Sequence, residues 1–474
     1  MSFDTGSVWE RIVKEQGILP KNGHLVIFLE CKIAISNFII IFTFSESDPN
    51  DALGERIMVI KRDYYLNQLI ASRHNGLIKI ITGLRRSGKS YLLFHLFDDY
   101  LKEQGVSDDH VIKVDLEDRR NITLRDPDAL LAYIDSKMVD NKMYYILLDE
   151  VQHVPEFEDV LNSYLKIGNA DVYVTGSNSR FLSSDIITEF RGRGDQIHIY
   201  PLSFAEFMSV DSRHPIEAWG DYYTYGGLPH VLTLESPKKK ISYLKRLYST
   251  VYIKDIVERN KLKGENELNE LIQVIASAIG SPTNPNKLAN TFKSLKNVSL
   301  SNKTIDNYLT YICESFLAEK AIRYDIKGKK YINTLAKYYF SDVGVRNAIL
   351  DFRQQEENHI MENIIYNELK IRDFQVDVGV VEHRTTDKDG KRVRKQYEVD
   401  FVANQGSQRY YIQSAFIMPT DAKERQESAS LLNIDDSFKK IIIVKDYIKP
   451  KINEEGIVTI GLIDFLLNPK SLNW

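Results

Sequence analysis

Cysteine is almost missing from this chain: its 474 residues contain only Cys31 and Cys313. Two thiols so far apart can build neither a disulfide framework nor a structural zinc site, and such scarcity fits a reducing compartment, so the expected location is the cytoplasm. A dominant charge is missing too. Lys+Arg number 62 and Asp+Glu 66, a formal net charge of −4. That balance excludes a histone-like polycation but leaves room for a local basic face. No internal repeat or low-complexity tract occurs. With 43% hydrophobic and 27% charged residues, the composition is that of a folded globular chain, long enough for about three domains. One apolar run, residues 24–44, is about the length of a membrane span. Glu30 and Lys32 interrupt it, no signal-peptide features frame it, and its Val, Ile, Phe and Thr suit buried strands equally. Membrane association is therefore not expected. Residues 1–57 read as an N-terminal extension, with Met58 as the functional start.

From residue 58 to 235, short apolar runs (77–82, 111–116, 144–148 and 171–175) alternate with amphipathic helical stretches such as 90–102 and 157–166. Alternation of this kind predicts an α/β domain with a parallel sheet covered by helices on both faces. Directly after the first run stands Gly83-Leu84-Arg85-Arg86-Ser87-Gly88-Lys89-Ser90, which fits the phosphate-binding P-loop pattern G-x-x-x-x-G-K-[ST]. Its glycines let several backbone N–H groups converge on one phosphate, and the following helix adds the positive end of its dipole. Lys89 is placed to reach the β- and γ-phosphates, and the Ser90 hydroxyl to complete a Mg²⁺ shell.

Asp149 and Glu150 close the run YILL, where an acidic pair at the carboxyl end of a strand serves nucleotide hydrolysis. Asp149 is the Mg²⁺ candidate and Glu150 the general base for the attacking water. After the next strand, Ser177 or Asn178 occupies the position that senses the γ-phosphate. Arg193, in Arg191-Gly-Arg193-Gly194, is a candidate for stabilising transition-state charge in its own subunit or a neighbour's.

The strings GLRRSGKS, LLDEVQHV, VTGSNSRFL, FRGRGDQIHIYPLSFAEF and YGGLPHVL together resemble prokaryotic AAA-type ATPases with a C-terminal domain of unknown function, over residues 58–460. The resemblance implies an ASCE-class, AAA-like P-loop fold and ATP rather than GTP. The lack of a guanine-reading N-K-x-D motif after the acidic pair agrees.

Residues 236–350 are mostly helical, and 285–332 have the outline of a winged helix, with Ser301 as an N-cap and a strand pair turning at Gly328 as the wing. Residues 281–340 hold ten Lys/Arg against four Asp/Glu, a local net of 10 − 4 = +6. Lys303, Lys327, Lys329 and Lys330 would present this charge to DNA phosphates; packing or protein contact is the competing use of such a unit.

Residues 351–474 mix helices and strands again. A helix offering Glu362 and Glu368, a strand carrying Glu398 and Asp400, and a following strand with Gln413-Ser414-Ala415 resemble the PD-(D/E)XK nuclease fold. In that family an Asp and an E-x-K triplet hold Mg²⁺ and activate water. Asp400 matches, but Gln413 brings no charge where hard cations favour carboxylates, and Ala415 replaces the lysine. The expected site, Glu368, Glu398, Asp400 and Gln413, is thus degenerate, and cutting is not expected. The sequence points to an ATPase, with ATP and Mg²⁺, that drives or gates a DNA- or partner-linked change. A slow nucleotide-dependent protein switch, acting on a protein partner or a second copy, and an ATP-controlled endonuclease are the alternatives.

Overall fold

The computed structural model describes residues 60–177, 193–296, 300–386 and 392–474. Residues 1–57, expected as an extension, and Asn178 lie outside them. Five strands form the first sheet: β1 (Ile78–Gly83), β2 (Val111–Asp115), β3 (Tyr144–Asp149), β4 (Ala170–Gly176) and β5 (Gly194–Ile199). All pairings are parallel and the order is β2-β3-β4-β1-β5. Strands covered on both faces need apolar side chains on both, and β1 and β3 are buried at every position. Ile80, Ile146, Leu148 and Val174 face the helices Pro127–Lys137 and Phe157–Tyr164, while Ile81, Leu147 and Tyr173 face Tyr65, Leu69, Leu93 and Phe97 on the other side. The alternation expected for residues 58–235 is therefore present. Strand β5 is an addition, because GDQIHI is too polar to stand out as a buried run.

One charged pair crosses this core. The Lys79 ammonium, with no exposed surface, is bound to Asp171 on the neighbouring strand β4. Asp171 also accepts from the backbone N–H of His74 at 3.1 Å and from the Tyr173 hydroxyl at 2.9 Å.

Helices fill residues 204–314, ending in Pro285–Lys296 and Asn302–Glu314. Ser301 caps the latter by accepting from Thr304 N–H at 3.1 Å, as its position predicts. The strand pair expected as a wing is a hairpin, β6 (Ala318–Asp325) and β7 (Lys330–Phe340), but it does not stand free. Its outer turn is closed by Gly328 N–H donating to Asp325 at 2.9 Å, and Arg323, Tyr324 and Asp325 pair in parallel with Val378, Gly379 and Val380. The hairpin thereby becomes one edge of an eight-stranded mixed sheet.

The rest of that sheet comprises β8 (Gln375–Thr386), β9 (Arg392–Gln405), β10 (Gln408–Ala415), β11 (Lys439–Val444), β12 (Lys451–Ile452) and β13 (Val458–Gly461), in the order β12-β13-β11-β10-β9-β8-β6-β7. The expected division at 350/351 thus falls within the stretch of chain that supplies one sheet. The helix Glu357–Ile371 packs on it through Ile360, Ile364, Ile365 and Leu369. A second helix, Asp421–Leu432, connects β10 to β11, which run parallel. The C-terminal region is accordingly α/β. Among the described residues, no helix is long and apolar enough to cross a membrane.

Removing one partner of a buried ion pair strands the other charge. Lys79→Met should therefore cost about 3–5 kcal/mol in urea denaturation. Adding Asp171→Leu should recover most of that loss, and a single variant as stable as the parent would refute a structural role for the pair.

Candidate nucleotide site

The carboxyl ends of β1, β3 and β4 lie side by side, the place where open parallel sheets bind ligands. Strand β1 ends at Gly83, whose φ is +147° and whose missing Cβ would collide with the carbonyl of Ile199 on β5. Arg86 (φ 70°) and Gly88 (φ 101°) complete the curl that brings the loop back to the helix beginning at Lys89. This helix runs on with a π-helical stretch, Leu92–Phe97, into Asp98–Glu103. The Lys89 ammonium is buried and donates to the carbonyls of Gly83 and Leu84 at 3.1 and 3.2 Å. Burial pushes its pKa down, partly offset by Glu150 and Asp149.

Asp149 ends β3 with its carboxylate accepting from Thr175 Oγ1 and in hydrogen-bond reach of Ser90. Burial pushes this carboxyl up. Glu150 follows in the left-handed region, φ 51°, a conformation that costs a non-glycine residue energy and is tolerated where surroundings fix it. The surroundings are visible: its N–H donates to Thr175 Oγ1 at 2.9 Å, Ser177 Oγ donates to its carboxylate at 3.1 Å, and the Gln152 amide does the same. Burial alone would raise the Glu150 carboxyl. Lys89, Gln152 and Arg85 more than offset it and hold it below the ordinary range, so it is ionised at neutral pH.

Ser177, one of the two sensor candidates, thus touches the acidic pair directly. Thr175, which bridges Asp149 and Glu150, was not a sequence candidate; a hydroxyl at the end of a buried β-run next to an acidic pair was the available signal. Arg85 turns away from the loop, forming ion pairs with Glu117 and, at 2.9 Å, with Asp255 of the helix Ile253–Arg259. Tyr252 donates to its carbonyl at 2.9 Å.

Arg193 does not reach this site in its own chain. Its carbonyl accepts from Ile78 N–H at 2.9 Å, at the start of β1. Parallel register pairs Ile78 with Gly194 at that end and Gly83 with Ile199 at the loop end. Five rises of about 3.3 Å therefore separate Arg193's end of the sheet from the P-loop, and the side chain is exposed there.

The strongest grip on the loop comes from a residue the sequence did not single out. Arg62, only 3% exposed, donates from Nη1 to Ser87 O at 2.9 Å, from Nη2 to Tyr200 O at 2.7 Å and from Nε to Glu206 Oε1 at 2.8 Å. Glu206 belongs to a capping box with Ser203 at the start of the helix Phe204–Met208, which explains the string PLSFAEF. YGGLP has a similar reason. Gly227 N–H donates to the buried Asp342 at 2.8 Å, a Cβ on Gly226 would collide with that carboxylate, and Pro229 borders Gly88.

The C-terminal candidates divide. Glu398, Asp400 and Gln413 come together: Gln413 Nε2 and Ser414 N–H each donate to Asp400 Oδ2 at 2.8 Å. Glu368 is elsewhere, paired with Arg372 at 2.7 Å. Six residues turn a helix through about 240°, so the glutamate on the sheet face is Glu362. It meets Lys337 of β7 at 2.9 Å, and Lys337 lies 2.8 Å from Glu398 and 3.6 Å from Asp400. Burial and Glu362 push the Asp400 carboxyl well up. Burial opposes the Lys337 charge, but the three carboxylates hold its pKa above the ordinary range. Among the described residues, no group of three or more His, Cys, Asp or Glu is arranged to hold a metal ion.

Residues 75–208 match the AAA domain family and residues 216–356 a domain of unknown function, DUF8612. Over 415 residues the chain is 34% identical to an uncharacterised protein of Haemophilus influenzae, an alignment that covers 86% of this chain and 99% of that one. The chain belongs to that family of AAA-domain proteins. An uncharacterised protein of Methanocaldococcus jannaschii is 27% identical over 416 residues, covering 84% of this AAA protein and 88% of its relative. Among solved structures, the AAA protein is similar to the Aeropyrum pernix ORC1 protein in complex with DNA (12% identity, 62% of this chain and 92% of that one, TM-score 0.30). It is also similar to AMPPCP-bound DnaA from Aquifex aeolicus (13% identity, 52% and 86%, TM-score 0.26).

Arg62→Lys in this AAA protein keeps the charge but cannot serve three acceptors in three directions. Nucleotide affinity, measured by fluorescent-ATP titration, should fall about tenfold, the factor that 1.4 kcal/mol carries. Unchanged affinity would remove Arg62 from the support of the loop.

Proposed function

We propose that the protein hydrolyses ATP at the P-loop and couples the nucleotide state to its helical and C-terminal regions. The observation that carries this reading is the buried Glu150 held beside Asp149 and Lys89 by Thr175, Ser177 and Gln152. A binding site without hydrolysis needs no second carboxylate fixed at such conformational cost. In this reading the backbone N–H groups of residues 83–90 and Lys89 hold the phosphates. The hydroxyl of Ser90 and the carboxylate of Asp149 already face each other, an all-oxygen pair that suits Mg²⁺, and they would hold the ion. Bound there, it supplies charge neutralisation on the phosphate oxygens. Glu150 orients the water and accepts its proton at the carboxylate, and Ser177 restrains that carboxylate. Arg193 is remote from its own chain's loop, so in this reading it would serve the phosphate only from a neighbouring subunit.

The partner of the cycle is a separate matter. Lys303, Lys329 and Lys330 are exposed, as contact with DNA phosphates would require. Lys327 is engaged with Asp435 at 3.0 Å, and the hairpin serves as a sheet edge. That second use favours, beside the DNA-linked reading, a switch that contacts a protein partner or another copy of the chain.

Lys89→Ala should abolish ATP turnover, and undiminished hydrolysis would overturn the site. Glu150→Gln should retain ATP binding while lowering turnover about 10²–10⁴-fold, the usual contribution of a general base. Steady-state hydrolysis by the full chain with and without duplex DNA separates the partners. Stimulation supports DNA linkage, and indifference to DNA supports the protein switch.

A further inference from the structure

The carboxylate cluster of the C-terminal sheet is a site by composition and already has its cation. Glu398 and Asp400, two apart on β9, present one face, and Glu362 comes down from the helix Glu357–Ile371. Where they converge stands the Lys337 ammonium, 3% exposed, at 2.8 Å from Glu398 Oε1, 2.9 Å from Glu362 Oε1 and 3.6 Å from Asp400 Oδ1. The other groups at the cluster are also donors. Tyr339 O–H donates to Glu362 Oε1 at 2.7 Å, and the Gln413 amide and Ser414 N–H fill Asp400 Oδ2 at 2.8 Å each. Ser430 Oγ donates at 3.2 Å to Gln413 Oε1, which fixes that amide with its NH₂ group toward Asp400.

A divalent metal needs bare oxygens converging at roughly 2.0–2.6 Å. Here the point of convergence is taken by nitrogen, and the amide that replaces a ligating carboxylate presents a donor. The chain does not fit the metal that its nuclease-like arrangement implies. We infer that Lys337 is a built-in cation that takes the place of a divalent metal in this cluster and makes the C-terminal domain a metal-free module that does not cut nucleic acid. The lysine is supplied from the hairpin, not from the strand that carries Gln413 and Ala415. The same ammonium therefore clasps the hairpin to the helix and to β9. The hairpin register shifts between Ile322 and Arg323, where the pairing passes from Ala336 to Ile332.

The test is calorimetric titration of Mn²⁺ into the nucleotide-free full chain carrying Asp149→Asn, so that the P-loop site is not counted. With Lys337 in place, no Mn²⁺ binding that depends on Asp400 is expected at millimolar metal. Lys337→Met should create one site, and adding Asp400→Asn should remove it. Mn²⁺ binding that Asp400→Asn abolishes while Lys337 is present would overturn the inference. So would plasmid cleavage by the Lys337-bearing chain that requires Mn²⁺ and Asp400, or a folded Lys337→Met variant that binds none. If Lys337→Met does not fold, the titration and cleavage assays on the Lys337-bearing chain still decide between these outcomes.

Discussion

A single desolvated guanidinium holds the nucleotide site together. Arg62 has almost no contact with solvent, so each donor it points at protein must find an acceptor or carry an unpaired-donor penalty of about 1–3 kcal/mol. It finds three, in three separate segments: the P-loop at Ser87, the turn after β5 at Tyr200, and the capping-box glutamate Glu206. The loop's own glycines allow its curl but do not choose one. Backbone freedom at Gly83 and Gly88 becomes a fixed shape because the carbonyl between them is anchored from outside. The planar fork of arginine is suited to this, since its donors are set at fixed angles before any bond forms.

The acidic half of the site is organised by the opposite means. Glu150 is forced into a left-handed backbone by the chain leaving β3, and its side chain then lies among donors: Ser177, Gln152 and, at longer range, Lys89 and Arg85. Thr175 joins the halves by donating to Asp149 while accepting from the Glu150 backbone. One hydroxyl therefore fixes the relative position of the two carboxylates, and a shift of β4 against β3 would disturb both together.

Much of this was legible in the residues and some was not, for physical reasons. The P-loop and the acidic pair are local devices: their chemistry depends on spacings of a few residues, so sequence displays them directly. The sheet was legible where burial on both faces produces unbroken apolar runs, and hidden in β5, an edge strand whose Gln196 and His198 are not fully buried. Arg193 stands at the far end of the sheet from its own chain's loop, which leaves only its use by a neighbouring subunit; a motif does not say which end of a parallel strand it occupies. Arg62 and Lys337 escaped notice because a lone basic residue ordinarily reads as solvated. Only the fold shows that both are buried, with partners far along the chain. The hairpin around Gly328 was found, but alternating residues describe a wing and a sheet edge equally well.

These long-range contacts also bear on how the regions of the molecule can influence one another. The helical region touches the P-loop through Arg85–Asp255 and Tyr252, and it holds the YGGLP turn through Asp342, which caps the helix Val343–Ile349 and binds Gly227. Burial pushes the Asp342 carboxyl up to about 6, with backbone N–H donors partly offsetting it. Asp342 lies two residues past the end of β7, three residues beyond Tyr339, which donates to Glu362 in the carboxylate cluster. Only the stretch from Tyr339 to Asp342 therefore separates the bond that holds the YGGLP turn from the bond to the carboxylate cluster. Coupling free energy between sites is reciprocal. Whatever binding at the P-loop does to the β6–β7 hairpin, a ligand that favours one position of the hairpin must do in equal measure to nucleotide affinity.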